Sequence, residues 1–265
     1  MERRVRFSLN PNLDFTTPDG SPEVCYAVIE DDHVVETASL SSDDRGASHP
    51  LGAVRLLPPC WPSKIVCVGR NYIEHARELG NEPPAEPLVF LKPLSALNAT
   101  GGVVEHPSIS QRLDYEGELG LVIGRRVRNV SPEEAVDAIF GYTCVNDFTL
   151  RDLQKKDGQW TRAKGFDTSC SVGPWIVPRG QVDFARLRVR TLVNGEVRQD
   201  ASVLDMIFPP GVIIAFISKF MTLLPGDLIA TGTPSGIGPL RSADRVQVHI
   251  DGIGTLDNVV GGPGS

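Results

Sequence analysis

The stretch Leu113-Asp114-Tyr115-Glu116-Gly117-Glu118-Leu119-Gly120-Leu121-Val122-Ile123-Gly124 decides how this chain is read. It begins polar and ends apolar, as a strand does when it runs from a charged site into a core. Side chains alternate across a strand, so Glu116 and Glu118 share one face, opposite Tyr115, Gly117 and Leu119. Two carboxylates on one face repel each other. Either the face is solvated and nearby Lys or Arg side chains answer the charge, or a divalent cation turns repulsion into coordination. A second apolar run, residues 140–146, ends in Asp147, which can reach the same face from a neighbouring strand. Three carboxylates without Cys or His suit a hard, oxygen-seeking ion. Mg²⁺ comes first, because it keeps positions open for water and substrate; Mn²⁺ and Ca²⁺ are the alternatives.

The chain around this stretch has 265 residues, 41% of them hydrophobic, enough for one large domain and a small one. Its formal net charge is −7 and its basic residues are scattered, which argues against a nucleic-acid partner. No apolar run reaches the roughly 18 residues of a membrane span. The first residues carry charge with no apolar segment after them, unlike a signal peptide. Five dispersed cysteines without a CxxC pair read as free thiols, Cys67 and Cys144 buried in apolar runs. A cytoplasmic protein fits.

Upstream, residues 1–20 read as an edge strand or arm. Residues 24–29 and 33–37 flank Asp31-Asp32 as a hairpin. Residues 41–48 have linker composition, and Pro58, Pro59 and Pro62 mark a boundary. The division expected is a small N-terminal β domain over 1–60, a catalytic domain over 61–260 and a flexible tail over 261–265. Residues 64–68 form a strand. Asn71 is placed to cap a short helix over 72–79, stopped by Gly80. Downstream, Ser131-Pro132-Glu133-Glu134 has the form of a capping box, opening a helix to about residue 139. Residues 151–154 suggest a helical turn, and 155–171 a polar loop. Asn194-Gly195 between residues 189–193 and 196–198 is a strong hairpin signal. An apolar helix is expected over 213–224, and further strands over 228–230, 246–250 and 254–260. Strands outnumber helices without regular alternation, so the fold class expected is mainly β (α+β) rather than a doubly wound sheet.

Other residues carry chemistry, each with a plainer alternative. His75 and Glu78 are neighbours on one helical face, either a general base with its orienting carboxylate or a surface pair. Lys164 either places charge near the three carboxylates or is a solvated loop lysine. Residues 231–238, rich in glycine, either bind an anion through backbone N–H groups or form a tight turn. Arg70 either meets a substrate carboxylate or joins a surface ion pair. His33, His49, His106 and His249 have no partner at ligand spacing.

Taken in order, Val68-Gly69-Arg70-Asn71-Tyr72 with His75 and Glu78, Tyr115-Glu116-Gly117-Glu118-Leu119, Asn146-Asp147, Arg151-Asp152-Leu153-Gln154, Lys164-Gly165-Phe166-Asp167 and Thr231-Gly232-Thr233-Pro234 resemble the fumarylacetoacetate hydrolase family over about residues 60–260. The resemblance implies a mixed β-roll catalytic domain, a homodimer, and one Mg²⁺ or similar ion per subunit held by Glu116, Glu118 and Asp147. It makes His75 and Glu78 a water-activating pair, Lys164 a substrate-polarising lysine, Thr233 a carboxylate contact, and Arg70 and Gln154 substrate-positioning residues. The function expected first is hydrolysis of a C–C bond in an acylpyruvate-type diketo acid. His75 would deprotonate the attacking water, and pyruvate would leave as its enolate with charge held by the ion and Lys164. The alternatives are decarboxylation of oxaloacetate or isomerisation of a 2-hydroxyhepta-2,4-diene-1,7-dioate from aromatic catabolism at the same site. From another class comes a metal-binding protein without turnover.

Overall fold

A computed structural model describes residues 1–263. Its strands are Arg4–Ser8 (β1), Cys25–Glu30 (β2), His33–Thr37 (β3), Ser48–Pro50 (β4), Arg55–Leu57 (β5), Ile65–Gly69 (β6), Leu88–Lys92 (β7), Leu97–Ala99 (β8), Val103–His106 (β9) and Leu113–Tyr115 (β10). They continue as Gly117–Ile123 (β11), Ile139–Asp147 (β12), Thr149–Leu150 (β13), Cys170–Pro178 (β14), Arg188–Val193 (β15), Glu196–Ser202 (β16), Leu228–Ala230 (β17), Gly238–Leu240 (β18), Arg245–Ile250 (β19) and Gly254–Pro263 (β20). The α-helices are Ile73–Glu78 (α1), Pro132–Val136 (α2), Arg151–Asp157 (α3), Thr161–Lys164 (α4) and Pro210–Ser218 (α5). The fold is mainly β, as expected. No helix among the described residues is long and apolar enough to cross a membrane.

The largest sheet has the order β4-β3-β2-β1-β14-β12-β11-β17-β6-β7, with β5 added to β1 and β8 to β14. A five-stranded sheet runs β16-β15-β19-β20-β9, and a three-stranded one β13-β10-β18. β11 is buried throughout and lies between two apolar layers. Leu119, Leu121 and Ile123 face the largest core cluster with Val66, Ile213 and Val248. Val122 faces the opposite cluster with Ile65, Val145 and Val172. An apolar run covered on both faces is what a central strand requires.

The deciding stretch is two strands rather than one. β10 belongs to the three-stranded sheet and β11 to the large one, and the chain changes partners at Glu116. Side chains take the backbone donors freed by this break. Glu116 N donates to Asn146 Oδ1 at 2.9 Å, and Gly117 N to Gln199 Oε1 at 3.0 Å.

Other elements also differ from the sequence reading. β1 is no edge or arm; it pairs β2 on one side and both β5 and β14 on the other, and is wholly buried. Its arginines made it look exposed. Arg6 is fully buried because it donates to Asp19 Oδ1 and to the carbonyls of Thr17 and Pro58, and stacks over Trp61. Asn71 does not cap α1. Its amide bonds the Phe208 and Thr231 carbonyls and accepts Phe208 N, tying the start of the helix to two distant loops. The expected loop over 155–171 contains the end of α3 and the whole of α4. The last long helix starts at Pro210, where a proline costs no hydrogen bond, and ends at Ser218. Residues beyond it turn so that Leu223 bridges Val127. The capping box at Ser131 is present, but α2 stops at Val136 and residue 139 already begins β12. β20 extends to Pro263, so the first three residues of the expected tail are strand, while residues 264 and 265 lie outside the described residues. Asn194 and Gly195 both take positive φ, at 53° and 84°, as the tight hairpin turn demands.

The parallel pair β6 and β17, which delivers two site loops, is clamped at its start by one buried carboxylate. Asp227 accepts Ser63 N and Ser63 Oγ at 3.0 and 2.6 Å, Lys64 N at 3.3 Å and Leu224 N at 2.8 Å, and it pairs with the Lys64 ammonium. Asp227→Ala leaves these backbone donors without acceptors. Urea unfolding is expected to show a loss of about 2–4 kcal/mol. A loss under about 0.5 kcal/mol would refute the clamp.

Candidate active site

The site lies where several strands end together. β11 starts at Gly117 opposite Asn146 near the end of antiparallel β12, and Asp147 N donates to Glu116 O at 2.9 Å. β17 is antiparallel to β11 and parallel to β6, so both finish at the same end, at Ala230 and Gly69. Loops leaving these ends surround a cavity of about 390 Å³. Glu116, Glu118, Asp147, Lys164, His75, Arg70, Gln154 and Thr233 all line it, and Glu78 stands behind His75. The structure thus brings together the nine residues to which the resemblance assigns roles.

Glu116, Glu118 and Asp147 are buried, each offering an oxygen within 4.8 Å of the others. Cations surround them. Lys164 Nζ donates to Glu116 Oε2 at 2.6 Å and Asp147 Oδ2 at 2.7 Å. Arg151 donates to Glu116 Oε1 at 2.5 Å and to Asp114 Oδ2 behind it at 3.0 Å. Burial works to raise the Glu116 carboxyl, but Lys164 and Arg151 prevail and hold it below the ordinary carboxylate range. Glu118 goes the other way. Burial, reinforced by Asp147 and Glu116, pushes its carboxyl well above that range, against the pull of Lys164 and the Gly232 N–H. Burial likewise works against the Lys164 ammonium, yet Asp147 and Glu116 keep it raised.

One of the carboxylate oxygens is fully buried and has no hydrogen-bond donor. Lys92 Nζ lies 2.7 Å from Asp147 Oδ1, but the acceptors it hydrogen-bonds are Lys164 O, Ser169 O and Ser169 Oγ. Asp147 Oδ1 therefore feels a positive charge but receives no hydrogen bond. A buried acceptor without a donor, in an all-oxygen cluster of three carboxylates, fits a hard divalent cation.

α1 brings His75 to the wall. His75 and Ala76 form its buried face, and His75 Nδ1 lies 3.2 Å from Glu78 Oε2, which leaves Nε2 for the cavity. Glu78 has a second attachment: its Oε1 accepts Gly236 N at 3.1 Å. Burial tends to raise the Glu78 carboxyl, but the bonds from His75 and Gly236 outweigh it and lower the group. The glycine-rich loop thus does bind anions through its amides, and they are the protein's own carboxylates, Glu78 at Gly236 and Glu118 at Gly232. Arg70 sits at φ 56°, a left-handed conformation that costs a non-glycine residue energy and is typical of functional sites. Thr233 is on the wall, but its hydroxyl proton is committed to Gly117 O at 2.9 Å. Gln154 Oε1 accepts from Arg151 at 2.6 Å.

The sequence reading assigned no role to Lys92, Arg151 or Asn146. Arg151 had a signal, standing in the Arg-Asp-Leu-Gln motif four residues after Asp147. Lys92 had only a faint one, a charge closing an apolar strand.

A family model described as fumarylacetoacetate (FAA) hydrolase C-terminal matches residues 64–261. The chain is 45% identical over 242 residues to the oxaloacetate tautomerase YisK of Bacillus subtilis, covering 86% of this chain and 80% of that one. Among solved structures, it resembles a 2-hydroxyhepta-2,4-diene-1,7-dioate isomerase from Mycobacterium marinum with TM-score 0.86 and 44% identity, over 100% of both chains. Another is fumarylpyruvate hydrolase from Pseudomonas aeruginosa in complex with Mn²⁺ and pyruvate, with TM-score 0.72 and 34% identity over 84% of this chain and 93% of that one. The chain is an enzyme of the fumarylacetoacetate hydrolase family, in the branch that includes oxaloacetate tautomerases and dienedioate isomerases.

Proposed function

We propose that this enzyme enolises a small 2-oxo dicarboxylate with the help of a divalent cation, moving a proton at the carbon beside the oxo group, as in tautomerisation of oxaloacetate. One observation carries the reading: an imidazole aimed by a carboxylate shares a small cavity with three clustered carboxylates. Glu116, Glu118 and Asp147 hold the ion, Mg²⁺ or Mn²⁺, which when bound supplies Lewis acidity towards a carboxylate and its adjacent oxo oxygen. His75 Nε2 takes the proton from the neighbouring carbon and delivers it to the oxo oxygen to give the enol, and in the reverse direction carries the enol proton back to that carbon. Glu78 accepts the Nδ1 proton, fixing the tautomer with a free Nε2 lone pair, and stabilises the imidazolium that forms. Lys164 adds positive charge where the oxygen becomes negative.

Charge balance supports a dianionic substrate. The three carboxylates already face Lys92, Lys164 and Arg151, and Asp114, which shares Arg151, is answered by Arg112. Two more positive charges favour a ligand carrying two negative ones. Arg70 on the cavity wall suits the distal carboxylate.

Hydrolysis of an acylpyruvate is the second reading. The likeness to fumarylpyruvate hydrolase favours it, and so does a His75–Glu78 pair suited to deprotonating water. Oxaloacetate decarboxylation and dienedioate isomerisation would draw on the same residues.

Two measurements test these assignments. Mg²⁺ or Mn²⁺ at about 100 times its Kd is expected to stabilise the folded protein by about 2.7 kcal/mol, read as a rise in Tm. Glu118→Ala should abolish the shift and leave a folded protein; a shift that survives would remove Glu118 from the ligand set. A panel of enol-oxaloacetate, an acylpyruvate and a hydroxy-dienedioate, with and without EDTA, identifies the reaction. His75→Ala should slow it about 10²–10⁴-fold while the metal-induced Tm shift persists. An unchanged rate would rule out His75 as the base.

A further inference from the structure

β16 is the edge strand of the five-stranded sheet, and its residues are exposed or half-exposed with one exception. Gln199 is 1% exposed. Burying a carboxamide is costly unless its polar atoms find partners, and here all the partners belong to the active site. Oε1 accepts Gly117 N at 3.0 Å. Nε2 donates to Thr233 Oγ1 and to Pro234 O, both at 2.8 Å. Thr233 Oγ1 then donates to Gly117 O at 2.9 Å, which closes a ring through both polar groups of Gly117. Only one amide orientation satisfies this ring, because a flipped Gln199 would set donor against donor at Gly117.

Gly117 is the residue between Glu116 and Glu118. It has no room for a side chain, since a Cβ there would lie 2.1 Å from Thr191 Oγ1. The loop at the far end of the ring supplies Gly232 N to Glu118 and Gly236 N to Glu78. From outside the cavity, Gln199 thus grips the peptide between two of the clustered carboxylates and the loop that docks the helix carrying His75.

We infer that Gln199 is a positioning residue: its carboxamide sets the spacing of Glu116 and Glu118 for the cation and fixes the Thr233–Gly236 loop against them. The inference rests on the reading that these carboxylates hold the ion. Its alternative is simple packing, which a side chain of similar volume would satisfy.

Gln199→Met keeps the volume and removes all three bonds. Mn²⁺ titration followed by electron paramagnetic resonance is expected to show affinity weakened about tenfold or more, the scale for partners that orient metal ligands. The KM for enol-oxaloacetate should rise with it. Gln199→Glu keeps an acceptor for Gly117 N but loses both donors, so it should bind Mn²⁺ more tightly than Gln199→Met and still show the raised KM. It also decides the case if Gln199→Met does not fold. Thr191→Val touches the same glycine but has no hydrogen bond to lose, and should match wild type in both readouts. Wild-type Mn²⁺ affinity and KM in folded Gln199→Met or Gln199→Glu, with only Tm lowered, would overturn the inference. Absence of Mn²⁺ binding in wild type would instead sink the cation reading, a separate and visible failure.

Discussion

Three carboxylates buried within 4.8 Å of one another set the terms for the rest of this structure. Two unit charges about 4 Å apart repel by roughly 4 kcal/mol at an effective dielectric near 20, and a domain's net stability is only about 5–15 kcal/mol. Such a cluster persists only if cations are built in around it. Three unrelated segments supply them: Lys92 from the end of β7, Arg151 from the start of α3 and Lys164 from the end of α4. Asp114, itself buried, holds Arg151 from behind, so that its guanidinium spans two carboxylates. The short helices after β12 exist to deliver these charges. They are too short to be stable alone and depend on being packed against β7 and β13.

The same constraint explains the break at Glu116. A continuous strand would keep its backbone amides in one ladder. Changing sheets there lets Glu116 lie beside Asp147 while β11 enters the core, at the cost of two amides that Asn146 and Gln199 satisfy. The glycine-rich loop completes the arrangement from the other side, its N–H groups bonded to Glu118 and to Glu78. Glu78 therefore has two tasks on separate oxygens: one orients the imidazole, the other docks the helix. The position of His75 depends on the loop that also braces Glu118, which couples the imidazole to the carboxylate cluster through the loop's backbone.

Much of this was legible in the sequence where the signal is local. The Glu-Gly-Glu spacing, the turn at Asn194-Gly195, the capping box at Ser131 and the i, i+3 pair of His75 and Glu78 each involve a few neighbouring residues with one dominant preference. The illegible parts depend on long-range pairing. β1 looked like a polar arm because Arg6 finds its acceptors at Thr17, Asp19 and Pro58, distances no local pattern carries. Asn71 looked like a cap and is instead a tie to residues 208 and 231. Gly117 was placed only on the face opposite the two glutamates, and its necessity appears when Thr191 is found against it. Gln199 lies on a strand whose other residues are exposed or half-exposed, so only its neighbours in space reveal it.

The polar residues of the site are common ground for several reactions. Enol formation, hydrolysis and decarboxylation make the same first demands of a chelated keto acid, so the carboxylates, His75 and Lys164 do not discriminate among them. Part of the cavity's lining is apolar, and it adjoins the cluster, since Lys164 Nζ lies over the Phe90 ring at 5.3 Å from its centroid. Phe90 and Trp160 meet edge to face with ring centroids 5.2 Å apart, and Leu79, just past α1, also lines the cavity. Trp160 can take this place because Gly69 beneath it has no side chain; a Cβ there would lie 3.0 Å from the indole. The same glycine precedes Arg70 in its left-handed conformation. An aromatic pair and a guanidinium therefore share the lining of this cavity. A ligand in this cavity therefore meets a carboxylate cluster with its cations, an imidazole, and an aromatic pair beside a guanidinium.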